Sequence, residues 1–235
     1  MKRPYNWYLD ETTSAGRENL DAGHVSRYDD KEDAVAANEL KLLKELGLTD
    51  TSVIVDIGAG TGQFTVAAAE TGALVIAVDV SSLMLERLNE KVTKLKLANV
   101  ELVQSGFLTY EHNGRPVDFV YSRLALHHLP DFWKALALER MRRMVRKGGI
   151  LRLWDVIYDF DPPEAEERIE AWCATAGDDA SGRKWNRSDY EEHIRDEYST
   201  FRWLLEPMIE RCGFEIIDVD YTPDGIFGKY IARAR

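Results

Sequence analysis

The sequence predicts a doubly wound α/β fold: a mostly parallel seven-stranded sheet with an antiparallel last strand, plus a helical lid insertion. Three observations predict it. Short runs of branched apolar residues alternate with segments of helical periodicity, the pattern of a parallel sheet wrapped by helices. A glycine-rich turn, DIGAGTGQF at 56–64, follows directly on the first of those runs. From residue 156 to 206 the alternation fails, and from Pro207 it resumes.

Each element has its own signal. In KEDAVAANELKLLKEL (31–46), Ala36, Leu40 and Leu43 share a helical face, and Gly47 is placed to stop the helix. Thr51–Ile57 reads as a buried strand, 63–71 as an alanine-rich helix and 74–80 (LVIAVDV) as the second strand. Ser81 and Ser82 are good N-caps for a helix carrying Leu85, Leu88, Val92 and Leu95 at helical spacing. Strands follow at 100–104, 117–122 and 150–155, the last two joined by a helix over about 131–145. The irregular stretch contains PPEAEERIEAWCATAG, a polar Gly/Asp/Ser segment, and RSDYEEHI, where Ser188 and Glu191 match a capping box. A short helix over 207–212 then leads to strands at 214–221 and 228–234, and the tight TPDGIF link makes that final pair antiparallel. The organisation expected is an N-terminal arm or lid (1–30), a cofactor-binding core (31–157), a helical insertion serving as substrate cap (158–206), and the C-terminal part of the core sheet (207–235).

Composition excludes several function classes. At 235 residues and 45% apolar content the chain can bury a full core, and it has no apolar run near the roughly 20 residues of a bilayer helix. The start, MKRPYNWYLDETT, lacks the apolar stretch and cleavage pattern of a secretion signal, so a cytoplasmic location is expected. Cys173 and Cys212 form neither a disulfide framework nor a metal pair. The net charge of −11 disfavours polyanions, and the cluster Arg140, Arg142, Arg143, Arg146 and Lys147 reads as a solvated helix face.

The glycine turn carries the chemistry. A dinucleotide fingerprint wants a glycine three residues after its second, and counting from Gly60 that position is Gln63. The residues present are instead Asp56, Gly58, Gly60 and Gly62. A carboxylate at Asp56 would oppose a pyrophosphate but accept hydrogen bonds from an ammonium group. Asp79 ends the second strand 21 residues after Gly58, beside the turn in a parallel sheet. Having only acceptors, it matches a ribose diol and repels a 2′-phosphate. An unphosphorylated ribose with an amino group nearby satisfies both acids.

These residues resemble a known family. VIVDIGAGTGQF, AVDVS, FVYSRLALHHLP and VRKGGILRLWD are similar to successive motifs of the class I S-adenosylmethionine-dependent methyltransferases, especially the small-molecule group with a His-His-Leu turn after the fourth strand. The resemblance covers about residues 35–158 and 207–235 and implies a Rossmann-like core. It implies that Asp56, Gly58, Ala59, Gly60 and Gly62 hold the methionine part, Asp79 the ribose, Met84 one face of the adenine, and Val80 an apolar contact. Where the family often has an acid after the third strand, this chain has Gly106 followed by Phe107, leaving backbone groups and the Phe107 ring to meet the adenine. The product would be S-adenosylhomocysteine.

Ligands of open α/β sheets collect at the carboxyl ends of the strands, which puts Ser122 and Arg123 near the transferable methyl. His127 and His128 on the same loop are the candidate catalytic bases, although in-line positioning within roughly 3 to 3.5 Å supplies much of the acceleration without one. Arg27 and Tyr28 precede the first helix and are candidates for the methionine carboxylate. Asp155, Asp159 and Asp161 are spaced without the convergence a hard metal needs, so no metal is expected. Aromatic residues concentrate in the arm and insertion, among them Tyr5, Trp7, Tyr8, Trp172 and Tyr190, as in a lid over a planar or cationic acceptor. The expected protein is a small-molecule methyltransferase acting on an O, N or S nucleophile, as a monomer or homodimer. A methyltransferase for tRNA or protein, a nicotinamide oxidoreductase and a non-catalytic cofactor-binding module are the alternatives.

Overall fold

A computed structural model describes residues 5–13, 35–177 and 185–235. The first helix, α1 (Ala36–Glu45), is followed by β1 (Val53–Ile57), α2 (Gln63–Ala69), β2 (Leu74–Asp79), α3 (Ser82–Leu95), β3 (Val100–Gln104) and β4 (Val117–Arg123). A 3-10 turn, Leu126–His128, leads to α4 (Asp131–Met144) and β5 (Val145–Tyr158), and a second, Pro162–Glu164, follows β5. The insertion holds α5 (Ala165–Ala174), α6 (Arg187–Asp196) and a two-residue strand, β6 (Thr200–Phe201). The chain closes with α7 (Arg202–Arg211), β7 (Phe214–Tyr221) and β8 (Phe227–Ala234).

The main sheet runs β3-β2-β1-β4-β5-β8-β7, with β6 pairing β5 off that path. The pairs from β3 to β5 are parallel, and β8 is antiparallel to both β5 and β7. The expected seven-stranded sheet with its antiparallel last strand is present. β1 is buried along its whole length. Because successive side chains point to opposite faces, Val53, Val55 and Ile57 pack into one core with Leu138 and Met141 of α4, while Ile54 packs into a second with Phe64 and Ala68 of α2. A bidentate ion pair, Arg152 to Glu39 at 2.8 Å for each bond, ties α1 to β5 inside this structure.

Several boundaries depart from the sequence reading, three of them with a clear physical cause. β5 begins at Val145 rather than Ile150, because Gly148 and Gly149 form an irregularity within the strand, where pairing with β4 shifts between Val117 and Phe119. A Cβ at Gly149 would lie 2.9 Å from the Asp118 carbonyl oxygen, so only glycine lets the strands approach there. α7 starts at Arg202 and contains Pro207 instead of starting at it. α6 is capped by Asn186 and Asp189, not by Ser188 and Glu191: each side chain accepts the other residue's N–H, at 3.1 and 3.0 Å. The Ser81 cap holds, its hydroxyl accepting from Met84 N at 3.2 Å.

The described arm packs on the core through Tyr8, which meets Trp133 of α4 edge-on at 5.0 Å. The insertion has a small core of its own. Trp172 stacks on Tyr190 at 4.5 Å and joins Tyr158, Phe160 and Ile226 at the end of the sheet. Arg140, Arg142, Arg143 and Arg146 each bond within the chain, to Tyr8, Gly213, Glu139 and Asp118 respectively. Among the described residues no helix is long and apolar enough to cross a membrane.

Candidate active site

The register of β1 on β2 pairs Ile57 with Val78, so the chain leaving β1 meets the tip of β2. Gly58 N and Ala59 N both donate to the Val78 carbonyl, at 2.8 and 3.1 Å. Gly58, Gly60 and Gly62 all have positive φ, 77°, 55° and 81°, the region that side chains disfavour. Space excludes side chains as well: a Cβ on Gly58 would lie 2.3 Å from Ala125 Cβ, and one on Gly62 2.1 Å from Leu88 Cδ1. The backbone cradle is therefore held from above and below.

On one side of this loop lies a cavity of about 470 Å³, lined by Asp56, Gly62, Phe64, Tyr121 and Arg123. Asp56 points toward α2, where the Thr65 hydroxyl donates to its Oδ2 at 2.5 Å. Burial and the like charge of Asp79 push its pKa up to about 7 against that hydrogen bond. On the other side, a cavity of about 550 Å³ is lined by Asp79, Val80, Gly106, Phe107, Leu124 and His128. Asp79 Oδ2 accepts from Gly60 N and Oδ1 from Ser81 N, both at 2.8 Å. Burial raises its pKa, and these backbone bonds oppose the rise.

This second cavity contains a residue the sequence reading missed. Glu11, from the arm, is 6% exposed and lines the same space. Its Oε1 accepts from Leu108 N and its Oε2 from the Thr109 hydroxyl, both at 3.0 Å. A Cβ on Gly106 would lie 2.4 Å from that Oε1, so the carboxylate fills the place left by an absent side chain. The one sequence signal was the departure at Gly106 itself.

At the end of β4 the two histidines separate. Leu124, in the left-handed region at φ 50°, turns the chain into the 3-10 helix. Asp155, 2% exposed at the adjoining part of β5, clamps that turn by accepting from Leu126 N at 2.7 Å and His127 N at 3.2 Å. His127 is buried, with Nδ1 2.5 Å from Asp155 Oδ1 and Nε2 3.2 Å from Glu197 Oε2. Burial favours the neutral ring, but the two carboxylates overcome it and push its pKa up to about 10. His128 lines the cavity instead, and burial together with the charge on His127 lowers its pKa to about 3.

Of the residues named from sequence, the fold gathers Asp56, Gly58, Ala59, Gly60, Gly62, Asp79, Val80, Gly106, Phe107, Arg123 and His128 around the two cavities. Met84 and Ser122 are fully buried and line neither. His127 stands behind the lining. Arg27 and Tyr28 lie outside the described residues. Asp155, Asp159 and Asp161 do not converge: Asp155 is spent on the histidine turn, and Asp159 pairs with Arg202 at 2.9 Å. His127, His193 and Glu197 do converge, with one ligand-capable atom of each within 4.8 Å of the others.

The architecture is an α/β sheet with a backbone cradle between two acidic strand tips, and known proteins share its features. Residues 54–149 match the family model of the methyltransferase domain. An uncharacterized methyltransferase of Anoxybacillus flavithermus is 28% identical over 201 residues, covering 86% of this chain and 84% of that protein. Among solved structures, a SAM-dependent methyltransferase from Aquifex aeolicus is 21% identical with a TM-score of 0.63, covering 92% of this chain and all of that one. Phosphoethanolamine N-methyltransferase 2 of Haemonchus contortus, in complex with S-adenosyl-L-methionine, reaches a TM-score of 0.71 at 17% identity over 97% of this chain and 60% of its own. These matches support a class I S-adenosylmethionine-dependent methyltransferase.

Proposed function

We propose that the chain methylates a small-molecule O, N or S nucleophile, with S-adenosylhomocysteine as the other product. The observation that carries this reading is the electrostatics of the cleft. Three acidic side chains, Asp56, Asp79 and Glu11, line the two cavities against the cation Arg123, and four arginines of the basic stretch are paired within the chain. Among the described residues a polyanion such as tRNA finds no basic track there.

In this reading the glycine turn and Asp56 hold the amino-acid part of the cofactor, and Asp79 accepts from the ribose hydroxyls. Glu11 accepts from the exocyclic amine of the adenine beside Phe107. The cradle fits the group because it offers close backbone approach without side chains and acceptors where the cofactor carries donors. The bound cofactor supplies an activated methyl group. His128, Leu124 and Arg123 border the space beyond it, and His128 orients the incoming nucleophile. The arm (1–30) and insertion (158–206) cap the acceptor over a core formed by 31–157 and 207–235. The protein acts in the cytoplasm as a monomer or homodimer.

Transfer of labelled methyl to panels of amines, phenols, thiols and carboxylates, run beside bulk tRNA and a protein mixture, tests this. Turnover of one small-molecule class, with neither macromolecule labelled, is the expected result. Salt-sensitive labelling of tRNA, or labelling confined to protein, would overturn it.

A further inference from the structure

Behind the cleft lies a second constellation that methyl transfer does not use. His127 comes from the turn after β4, His193 from the last turns of α6, and Glu197 from the residue that caps that helix. Their donor atoms meet across 4.8 Å or less: His127 Nε2 is 3.2 Å from Glu197 Oε2, and His193 Nδ1 contacts the same oxygen. The His127–Glu197 separation matches the about 3.3 Å between ligand atoms that tetrahedral bonds of about 2.0 to 2.1 Å produce, while the His193–Glu197 contact is a hydrogen bond that would open as an ion entered. The ring nitrogens turned away from the cluster are both anchored. His127 Nδ1 bonds to Asp155 Oδ1 at 2.5 Å, and His193 Nε2 to the Ser199 hydroxyl at 2.7 Å. Metal-binding histidines characteristically show this arrangement, the outer partner fixing ring orientation and leaving the inner nitrogen for the ion. Asp155 is itself held by Leu126 N and Val156 N, both at 2.7 Å, so the outer partner is rigid.

We infer that His127, His193 and Glu197 form a binding site for one divalent metal ion of the zinc class. Two imidazoles and one carboxylate favour a borderline ion over calcium or magnesium, which prefer all-oxygen cages. Three protein ligands leave one coordination position for water. Because His127 belongs to the core turn and the other two to the insertion, the ion would staple α6 onto the end of the sheet. The inference stands apart from the acceptor reading: it holds whether the methyl goes to a small molecule or not.

The test uses the full chain, stripped with a chelator, dialysed and titrated with Co²⁺ alone. One equivalent is expected to bind, giving visible ligand-field bands that Zn²⁺ abolishes by displacement, and Zn²⁺ is expected to raise the thermal midpoint by several degrees. His193→Ala and Glu197→Gln should each weaken binding at least tenfold. His112→Ala should leave it unchanged, since that ring bonds to Tyr110 and Arg115 outside the cluster. The near-isosteric Glu197→Gln gives the reading if His193→Ala does not fold. Absence of saturable binding, or affinity unchanged in the folded variants, would show a purely hydrogen-bonded cluster and overturn the inference.

Discussion

The glycine turn after β1 and the histidine turn after β4 sit at neighbouring strand tips, paired in register through Asp56 and Tyr121. The first is made of backbone: three residues of positive φ, N–H groups aimed at the tip of β2, and space that admits no side chain. The second is made of side chains drawn together from β5, α6 and the end of that helix. A backbone site depends on a few consecutive residues and tolerates change elsewhere. A side-chain site depends on the packing of every element that contributes to it, so the two regions should respond differently to mutation.

Gly58→Val attacks the backbone site most directly. It adds a branched side chain where a Cβ already lies 2.3 Å from Ala125 and φ is 77°. Cofactor affinity measured by calorimetry should fall more than about 100-fold, about 3 kcal/mol or more. Trp172→Ala attacks the other region by removing the ring stacked on Tyr190. It should cost about 3 kcal/mol of stability, seen as faster hydrogen exchange across α5 and α6, while cofactor affinity stays within about twofold. Equal loss of cofactor binding in both variants would erase the distinction.

Glu11→Gln keeps the shape of the arm but removes the charge facing the second cavity. A loss of about 1.5 kcal/mol, roughly tenfold in cofactor affinity, is expected, with the thermal midpoint nearly unchanged. The effect of pH is smaller. Burial and the charge of Asp79 raise the Asp56 pKa from its ordinary 3.8 to about 7, so the folded chain keeps a proton that the unfolded chain has released. That contribution to stability is complete below about pH 4 and disappears as pH rises through about 7. Affinity for a cofactor bearing an ammonium group should move the other way, rising several-fold from pH 5 to 8, with Asp79 sharpening the rise. Asp56→Asn should flatten this profile. Arg143→Ala, on an exposed side chain paired with Glu139, should change stability by less than about 0.5 kcal/mol.

What was legible in the sequence follows the same division. The cradle residues and Asp79 could be read because their geometry follows from strand, turn and strand in order. The helix cap at Ser81 and the closing hairpin were local in the same sense. Glu11 was not legible, since its carboxylate meets Leu108 N across 97 positions of chain. His193 and Glu197 are four apart and share a helical face, but nothing local said that this face meets His127. The strand and helix ends were misplaced where a residue that breaks regular structure is absorbed into it: Gly148 and Gly149 within β5, Pro207 within α7.

The seat of Glu11 means that one wall of the second cavity is borrowed from a segment whose described residues contribute no strand to the sheet. A fragment beginning at α1 would retain every sheet strand and the whole glycine cradle, yet its slot would open to bulk water beside Gly106, and Tyr8 would leave a hole against Trp133. On the proposed reading, such a fragment would keep the Asp79 contact to the ribose and lose the Glu11 contact to the adenine.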